Sequence, residues 1–451
     1  MPRLHSSWLA PLLLLLTASV PAAAQVGATP PGVTRGLFGA GNATPGASDF
    51  TFAFDLTGGY DAIDVPATGA EGQLAPVQSG YIGEADATLR YQKGRGDSYM
   101  LVVGNGTAAQ QQIASDLPSF RLYRGGGSVE AGTRLGRRSG LTGAATVSYE
   151  PTYAFGAFDT LARGAALDNP IDTPPLATAD QAVSVTRQRW ISGQVGAGAF
   201  HNWSSRQRMS VRYESFRIRP IDGEGLELNR SSAALYHVWN ARQNVRLDAS
   251  YRFDDIPQRT ETTTRPVRTQ MVEARARYER RVSPGRSIAF QAGGGAVEVR
   301  TTAFGADPGV RQMLPVVSGS ITTDLTRDWR AGISGRRDIT VLNGLSPAPF
   351  RSDEAMLSLE GTIGRRLALA TTGAVSRGRG TVAGAGDFDL AMVNAQMRYA
   401  LGARLGLVAH YAYNDHEFRN VSVTPTSFPL RFSRNSVRVG VTVWLPLYGT
   451  F

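Results

Sequence analysis

The chain has 451 residues, of which 51 are glycine and none is cysteine, and its formal net charge at pH 7 is +10. The lack of cysteine excludes a thiolate metal site, a disulfide scaffold, a cysteine nucleophile and a lipid-modified cysteine anchor. Beyond the N-terminus, no apolar run approaches the ~18 residues that a membrane-spanning helix requires, which excludes a helical membrane protein. A soluble protein and a transmembrane β-barrel remain.

The N-terminus has the pattern of an export signal. Arg3 precedes the apolar run LAPLLLLLTASV, and residues 22–24 form a small-residue cleavage site. The apolar run has about 12 residues, fewer than the ~20 that a transmembrane anchor needs. We therefore expect residues 1–24 to be a cleaved signal peptide. Residues 25–48 read as a flexible periplasmic leader rich in Gly, Pro and Ala, and residues 49–451 as the folded domain.

From residue 49 onward, apolar and polar side chains alternate. In VRLDASYRFD, Leu247 and Tyr251 share one face of an extended chain while Asp248 and Arg252 share the other, because successive side chains of a strand point to opposite faces. We count about eighteen such segments, with a range of 16–18. They begin near residues 49, 80, 97, 126, 140, 186, 206, 228, 244, 267, 286, 312, 328, 351, 366, 387, 404 and 433. The pattern predicts an all-β protein.

The connections between these segments fall into two alternating classes. Long connections, such as 59–79 and 153–185, alternate with short ones, such as 93–97 and 202–206. Bacterial transmembrane barrels have short periplasmic turns, longer extracellular loops and an even number of strands. A β-propeller would carry a four-strand blade signature, which the sequence lacks, and a soluble sandwich or β-helix needs no two-class loop pattern. We therefore predict a transmembrane, antiparallel, up-and-down β-barrel.

Aromatic residues lie at both ends of the predicted strands. Beside the short turns are Tyr91, Tyr99, Phe200, Trp203, Trp239, Tyr278, Trp329 and Tyr399. Toward the opposite ends are Tyr81, Tyr149, Tyr213, Tyr251, Tyr411 and Tyr413. Two aromatic belts that flank an apolar band are typical of a bilayer-spanning barrel.

The chain ends in RVGVTVWLPLYGTF, a final strand that closes on the aromatic residue Phe451. This ending resembles the C-terminal signal by which bacterial outer-membrane proteins are handed to the barrel assembly machinery. Three positions depart from that pattern: Gly449 stands where a bulky residue is usual, Tyr448 is out of the two-residue register, and Pro446 cannot donate to a strand ladder.

In layout, the mature chain resembles the β-barrel porins of Gram-negative bacteria, including those associated with exopolysaccharide export. The resemblance implies an integral protein of the outer-membrane lipid bilayer, inserted by the barrel assembly machinery. Periplasmic polysaccharide-export components are candidate partners, and no nucleic acid is expected.

The five histidines offer few catalytic arrangements. His237, and His410 with His416 beside Asp415, are candidates for a hydrolytic site near the outer rim. Neighbours in a strand seldom face each other, so we interpret them as solvated polar residues. Glycine-rich pieces such as QAGGGAVEV lack the GK[ST] continuation of a phosphate loop. We expect no enzyme, and neither a metal nor another cofactor.

The polar face of the predicted strands would line the lumen of a barrel. Our register places ten arginines and eight carboxylates there. The candidate lumen residues are Arg90, Arg134, Arg212, Glu214, Arg246, Asp248, Arg252, Glu273, Arg275, Arg277, Arg330, Arg398 and Arg438, with the further carboxylates Glu84, Asp86, Glu130, Glu279 and Glu360. Mutual pairing that stiffens the wall and a ladder of substrate contacts both explain this composition. Either predicts mild ion selectivity.

The short turns are predominantly basic. This periplasmic basic rim consists of Lys93, Arg95, Arg137, Arg138, Arg206, Arg208, Arg242, Arg280, Arg281, Arg327, Arg365, Arg366 and Arg404. It has two interpretations. The rim either anchors the barrel to phosphate headgroups of the inner leaflet, or it forms a basic mouth that concentrates an anionic solute.

Three functions are compatible with these patterns. The first is a passive diffusion or export channel, with exopolysaccharide as a candidate cargo. The second is a general small-solute porin, and the third is a surface-loop enzyme or adhesin on a barrel scaffold. Eighteen strands are enough for an aqueous lumen. The small, proline-containing 153–185 loop is our candidate for its constriction.

Overall fold

A computed structural model describes most of the folded domain. The described residues are 48–64, 79–95, 98–113, 120–150, 153–155, 183–186, 189–221, 226–242, 245–260, 267–281, 288–302, 310–326, 328–341, 349–364, 366–381, 386–419 and 430–449. The predicted signal peptide and nearly all of the leader lie outside them, and so does Phe451.

The described residues form twenty strands and contain no helix. The strands are β1 (Ser48–Asp64), β2 (Gly80–Arg95), β3 (Ser98–Ile113), β4 (Phe120–Arg134), β5 (Ser139–Glu150), β6 (Tyr153–Phe155), β7 (Val183–Thr186), β8 (Trp190–Asn202), β9 (Gln207–Pro220), β10 (Leu226–Arg242), β11 (Val245–Thr260), β12 (Val267–Arg281), β13 (Ile288–Thr302), β14 (Val310–Asp324), β15 (Trp329–Val341), β16 (Pro349–Ile363), β17 (Leu367–Gly380), β18 (Asp387–Ala400), β19 (Leu405–Arg419) and β20 (Arg431–Gly449). In this part of the chain, no helix could cross a bilayer.

Eighteen of these strands form one closed antiparallel sheet. Each strand pairs with the next one in the chain, β5 pairs with β8, and β20 returns to pair with β1. The predicted up-and-down barrel of eighteen strands is therefore confirmed. Sixteen residue pairs join β1 to β20, from Asp49 opposite Gly449 to Asp64 opposite Ser433.

The strands are longer than the sequence pattern predicted. β1 continues to Asp64 and β4 begins at Phe120, although both ends were assigned to long connections. The barrel strands have 12 to 19 residues, whereas a tilted strand crosses a bilayer in about 9–11. Charged residues on both faces of the extra length break the apolar alternation, which is why the pattern placed these ends in loops.

The predicted constriction loop begins and ends as a small hairpin. β6 and β7 pair with each other in a separate two-stranded sheet. Residues 156–182 lie outside the described part of the chain. A constriction formed by the 153–185 loop stays a prediction.

The outer face of the barrel is apolar and exposed around its circumference. Examples are Leu56 on β1, Val195 on β8, Leu357 on β16 and Val439 on β20, with Val195 61% and Val439 60% exposed. An apolar surface of this extent is unfavourable in water. A closed barrel also satisfies all of its strand backbone groups, as a hydrocarbon environment requires. This is the architecture of an integral outer-membrane β-barrel.

The aromatic belts are partly as predicted. Trp203, Trp239 and Tyr278 are exposed beside the short turns. Tyr99 and Phe200, also predicted there, instead lie on the inner face. The Tyr99 hydroxyl donates to Glu130 at 2.7 Å, and the ring of Phe200 covers Gly140 on the paired strand. Inward glycines opposite these rings leave the space that the aromatic groups fill.

A β-bulge shifts the register between β1 and the last strand, β20, by one residue. Phe50 lies opposite Tyr448 and Thr51 lies opposite Pro446, so that Leu447 is the extra residue. A bulge interrupts the ladder locally, which tolerates the missing amide hydrogen of Pro446. Because Leu447 interrupts the two-residue repeat, the faces of the residues before it cannot be assigned by counting alternate residues back from the C-terminus.

Two glycines allow β1 and β20 to approach each other closely along this seam. A Cβ atom on Gly440 would overlap the carbonyl oxygen of Leu56, and one on Gly59 would overlap the carbonyl oxygen of Val437. The overlapping atoms belong to the backbone, so a side chain at either position forces the closing strands apart.

We expect Gly440→Val to lower the free energy of unfolding by roughly 2 kcal/mol, the scale of overpacking in a tight site. Urea titration of barrels refolded in detergent, followed by the mobility shift of unboiled samples on gels, measures the effect. Gly83→Val is the matched control, because a Cβ atom there meets nothing within 4 Å. Equal urea midpoints for the two variants would contradict the role of the seam.

Candidate functional site

The inner wall, defined as the inward face of the barrel strands, carries ion pairs that link separate strands. One group centres on Glu84 of β2, which accepts from Arg124 of β4 at 3.1 Å and from Arg438 of β20 at 2.8 Å. Arg438 reaches Glu84 across β1, where Gly59 lies opposite Arg438 and leaves space. This Glu84 cluster therefore spans the seam between the first and last strands.

A second group lies on β10 and β11. Asp254, whose side chain is 4% exposed, accepts from Arg230 at 3.1 Å and from Arg252 at 3.0 Å. Arg252 also donates to the hydroxyl of Ser232 at 3.2 Å. Because the carboxylate is nearly excluded from solvent, its two guanidinium partners compensate its desolvation.

A third group reaches across non-adjacent strands. Arg275 of β12 lies 3.2 Å from Asp338 of β15, and Arg336 lies 3.1 Å from Glu354 of β16. Arg275 crosses β13, where its directly paired residue is Gly295. Gly295, in the glycine-rich piece QAGGGAVEV, has no side chain that would obstruct Arg275 as it crosses β13.

The predicted lumen residues lie on the inner wall as part of this network. Asp248 accepts from Arg246 at 2.7 Å and from Arg277 at 2.9 Å. Arg212 pairs with Glu214, and Glu273 with Arg275. Arg90 donates to Gln92 and Arg330 to Asp324. Arg134 and Arg398 occupy inward register positions on β4 and β18.

Sequence reasoning missed several members of the network. They are Asp61, Arg124, Arg230, Arg336, Asp338, Glu354 and Arg434. Asp61 and Arg124 lie in stretches that were assigned to long connections. The others lie in or next to predicted strands and were not among the candidate lumen residues.

Apolar side chains cover the inner wall toward the ends remote from the short turns. Phe350, Phe388 and Phe432 are almost fully buried. His416 is 2% exposed and stacks on Phe432, with ring centres 5.1 Å apart. The interpretation of His416 as a solvated loop residue is therefore wrong.

The other proposed catalytic arrangements are also not assembled. Asp415 occupies an outward register position on β19, opposite in direction to His416, and His237 is exposed on the outer face of β10. His410 lies inward, with Nε2 3.5 Å from the Gln396 amide nitrogen. Strand alternation separates the groups that a hydrolytic site would have to join.

The basic rim divides by position. Arg137, Arg138, Arg206, Arg366 and Arg404 are exposed in the short turns. Lys93 and Arg280 lie at strand ends in outward positions, and the guanidinium of Arg208 lies 4.1 Å from the centre of the Phe200 ring. Outside the described part of the chain are Arg327 and Arg365, together with the side chains of Arg95, Arg242 and Arg281.

The closed sheet, its apolar exterior and its charged interior define an outer-membrane β-barrel protein. No protein-family model matches the sequence, and no curated protein matches it. The barrel assignment rests on the strand pairing and the outer face described above.

Solved structures of outer-membrane proteins share the barrel layout at low identity. OccAB2 of Acinetobacter baumannii is 10% identical, with 88% of this chain and 98% of that one covered and a TM-score of 0.45. OccK11 (OpdR) of Pseudomonas aeruginosa is 14% identical over 92% and 99%, with a TM-score of 0.44. The ferric citrate transporter FecA is 11% identical with a TM-score of 0.43, and the match covers 88% of this chain but only 64% of that one.

We expect the Glu84–Arg438 pair to couple more strongly than an exposed pair. Their side chains are 8% and 11% exposed, against 51% and 42% for Asp353 and Arg337. A double-mutant cycle with glutamine or asparagine replacements should give about 2 kcal/mol for the first pair and a clearly smaller coupling energy for the second. Urea unfolding in detergent measures both energies. Similar values would show that the inner-wall pairs add no more than surface pairs.

Proposed function

We propose that the protein is a passive outer-membrane channel for small hydrophilic solutes, with weak charge selectivity. The observation that carries this proposal is the closed barrel of eighteen strands with a polar inner wall. A circular barrel of eighteen strands spaced ~4.8 Å apart and tilted ~40° has a backbone diameter of about 36 Å. Such a barrel encloses enough space for an aqueous lumen.

The pairing of charges supports weak selectivity. On the inner wall, guanidinium groups face carboxylates at 2.5 to 3.2 Å in the Asp248, Asp254 and Glu84 groups. A paired wall presents alternating charge to a passing ion and little net field. This pattern favours a stiffening role for the pairs over a ladder of free charges that selects one ion.

Export of a polysaccharide stays a prediction. Stacking of sugar rings needs accessible aromatic faces, and the inward rings of Phe350, Phe388 and Phe432 are buried. A small-solute channel therefore fits the described inner wall better. Three other predictions have no supporting contact among the described residues. They are membership of a polysaccharide-export assembly, insertion by the barrel assembly machinery, and an enzyme or adhesin on surface loops.

Planar-bilayer conductance tests the channel and the rim together. We expect pores with a slight anion preference at low salt, because the exposed rim arginines raise the local anion concentration. Charge reversal to Glu at Arg137, Arg138, Arg365 and Arg366 should reduce or invert the reversal potential measured in a salt gradient. Reversal of Lys93 and Arg280, which point outward at the same level, is the matched control and should leave it unchanged.

Two outcomes would contradict this proposal. If neither the natural chain nor a variant lacking residues 153–185 conducts, the protein is no channel. If conductance is present but the four-residue reversal has no effect, the basic mouth is wrong and headgroup anchoring explains the rim.

A further inference from the structure

Charged residues continue the outward register beyond the apolar band. On β15 to β20, the outward positions remote from the short turns hold Arg and Asp or Glu in place of Val, Leu and Ala. On β16, for example, Leu357 and Ala355 lie on the outer face, and the next positions on that face, farther from the short turn, are Asp353 and Arg351. We call this charged area of the outer face the outer grid.

Strand pairing arranges the outer grid in two rows. The first row, in order of neighbouring strands, is Arg337, Asp353, Arg377, Asp389, Glu417 and Arg431. The second row, two residues farther from the short turns, is Arg351, Arg379, Asp387 and Arg419. The first row balances its charges, whereas the second holds three arginines and one aspartate.

Carboxylates hold the first row in place. Arg337 donates to Asp353 at 3.0 Å, and Arg377 lies 3.3 Å from Asp389. Arg419 of the second row also pairs with Asp389. These contacts fix the guanidinium groups of Arg337, Arg377 and Arg419. In the second row, Asp387 lies opposite Arg379.

The second row contains two arginines whose like charges repel each other. Arg351 and Arg379 lie directly opposite each other on β16 and β17, and like charges in that position destabilise a sheet. Neither forms an ion pair with a carboxylate among the described residues, and Nε of Arg351 is buried without a hydrogen-bond partner. An anion placed between them would relieve the repulsion.

The height of the grid matches the lipid phosphates. Arg377 is ten residues from Leu367, where β17 leaves its short turn. Ten residues at ~3.3 Å each, tilted by ~40°, rise about 25 Å, which is the height of the apolar band of such barrels. The outer grid therefore lies at the boundary of the leaflet opposite the short turns.

We propose that the outer grid binds the phosphate groups of lipopolysaccharide, the phosphorylated glycolipid of the outer leaflet. Guanidinium groups bind phosphate through paired hydrogen bonds, and Arg351 with Arg379 supplies two of them at one site. β13 and β14 repeat the design, since Arg300 and Arg311 lie directly opposite each other and share Glu298. Outward arginines at the remote ends of β9 and β12 differ from this pair, because Arg217 contacts Glu227 and Arg268 contacts Asp255. On β1, β2 and β4 the outward face also exposes Tyr60, Tyr81 and Tyr123.

Titration with defined lipids tests the proposal. The full barrel in detergent micelles is titrated with bisphosphorylated lipid A, with dephosphorylated lipid A and with phosphatidylglycerol, and bound lipid is counted by native mass spectrometry. We expect bisphosphorylated lipid A to bind the natural chain at least tenfold more tightly than either other lipid. The double variant Arg351→Gln, Arg379→Gln should lose that preference.

The matched control is Arg217→Gln, Arg268→Gln, which removes the same charge from outward arginines that are already paired with carboxylates and should bind lipid A unchanged. Heat-modifiable mobility on gels verifies that each barrel is folded, and Arg379→Gln alone replaces the double variant if that one fails to fold. Equal lipid A affinity for the natural chain and a folded grid variant would overturn the proposal. Equal binding of phosphatidylglycerol and lipid A would overturn its choice of lipid.

Discussion

The structure depends on one constraint: in hydrocarbon, each strand must find its backbone partners within the protein. The chain meets it by pairing β1 with β20, so that no strand of the barrel is left as an edge. The seam is also where side chains are most restricted. Gly59 and Gly440 allow the two backbones to approach, the bulge at Leu447 absorbs Pro446, and Arg438 reaches across β1 to Glu84.

Closure also explains the composition of the inner wall. Once the sheet curves, inward side chains of non-adjacent strands converge, as Arg275 and Asp338 do across β13 and β14. Long arginines can bridge that distance, and Gly295 keeps the path free. The charges that look like an excess along the sequence therefore become pairs inside the barrel. Further arginines lie in the short turns and in the outer grid.

Most of the fold could be predicted from a period of two. Alternation identified the eighteen barrel strands, and the starts of most were correct within two or three residues, as at Val267 and Leu405. The remote ends of β1 and β4 were wrong, because charged residues there break the apolar alternation and the pattern assigned them to long connections. The register itself continues through these charges.

The site was less predictable for a different physical reason. Alternation gives the face of a residue such as Arg252, but its partner Asp254 depends on side-chain reach. Contacts such as Glu84 with Arg438 join residues 354 positions apart and exist only after closure. The inward positions of Tyr99 and Phe200 follow from glycines on the neighbouring strands, which a single-strand pattern does not contain.

The account's central claim is a water-filled lumen inside an apolar cylinder, and the absence of cysteine allows a direct measurement. Single cysteines at Ser210, Ser250 and Ser318 face inward, and those at Val211, Ala249 and Val317 face outward. The barrels are reconstituted in lipid vesicles and treated with a charged, membrane-impermeant maleimide. The account predicts rapid labelling at the three inward positions and protection at the three outward ones. Protection at all six, or labelling without alternation, would contradict it.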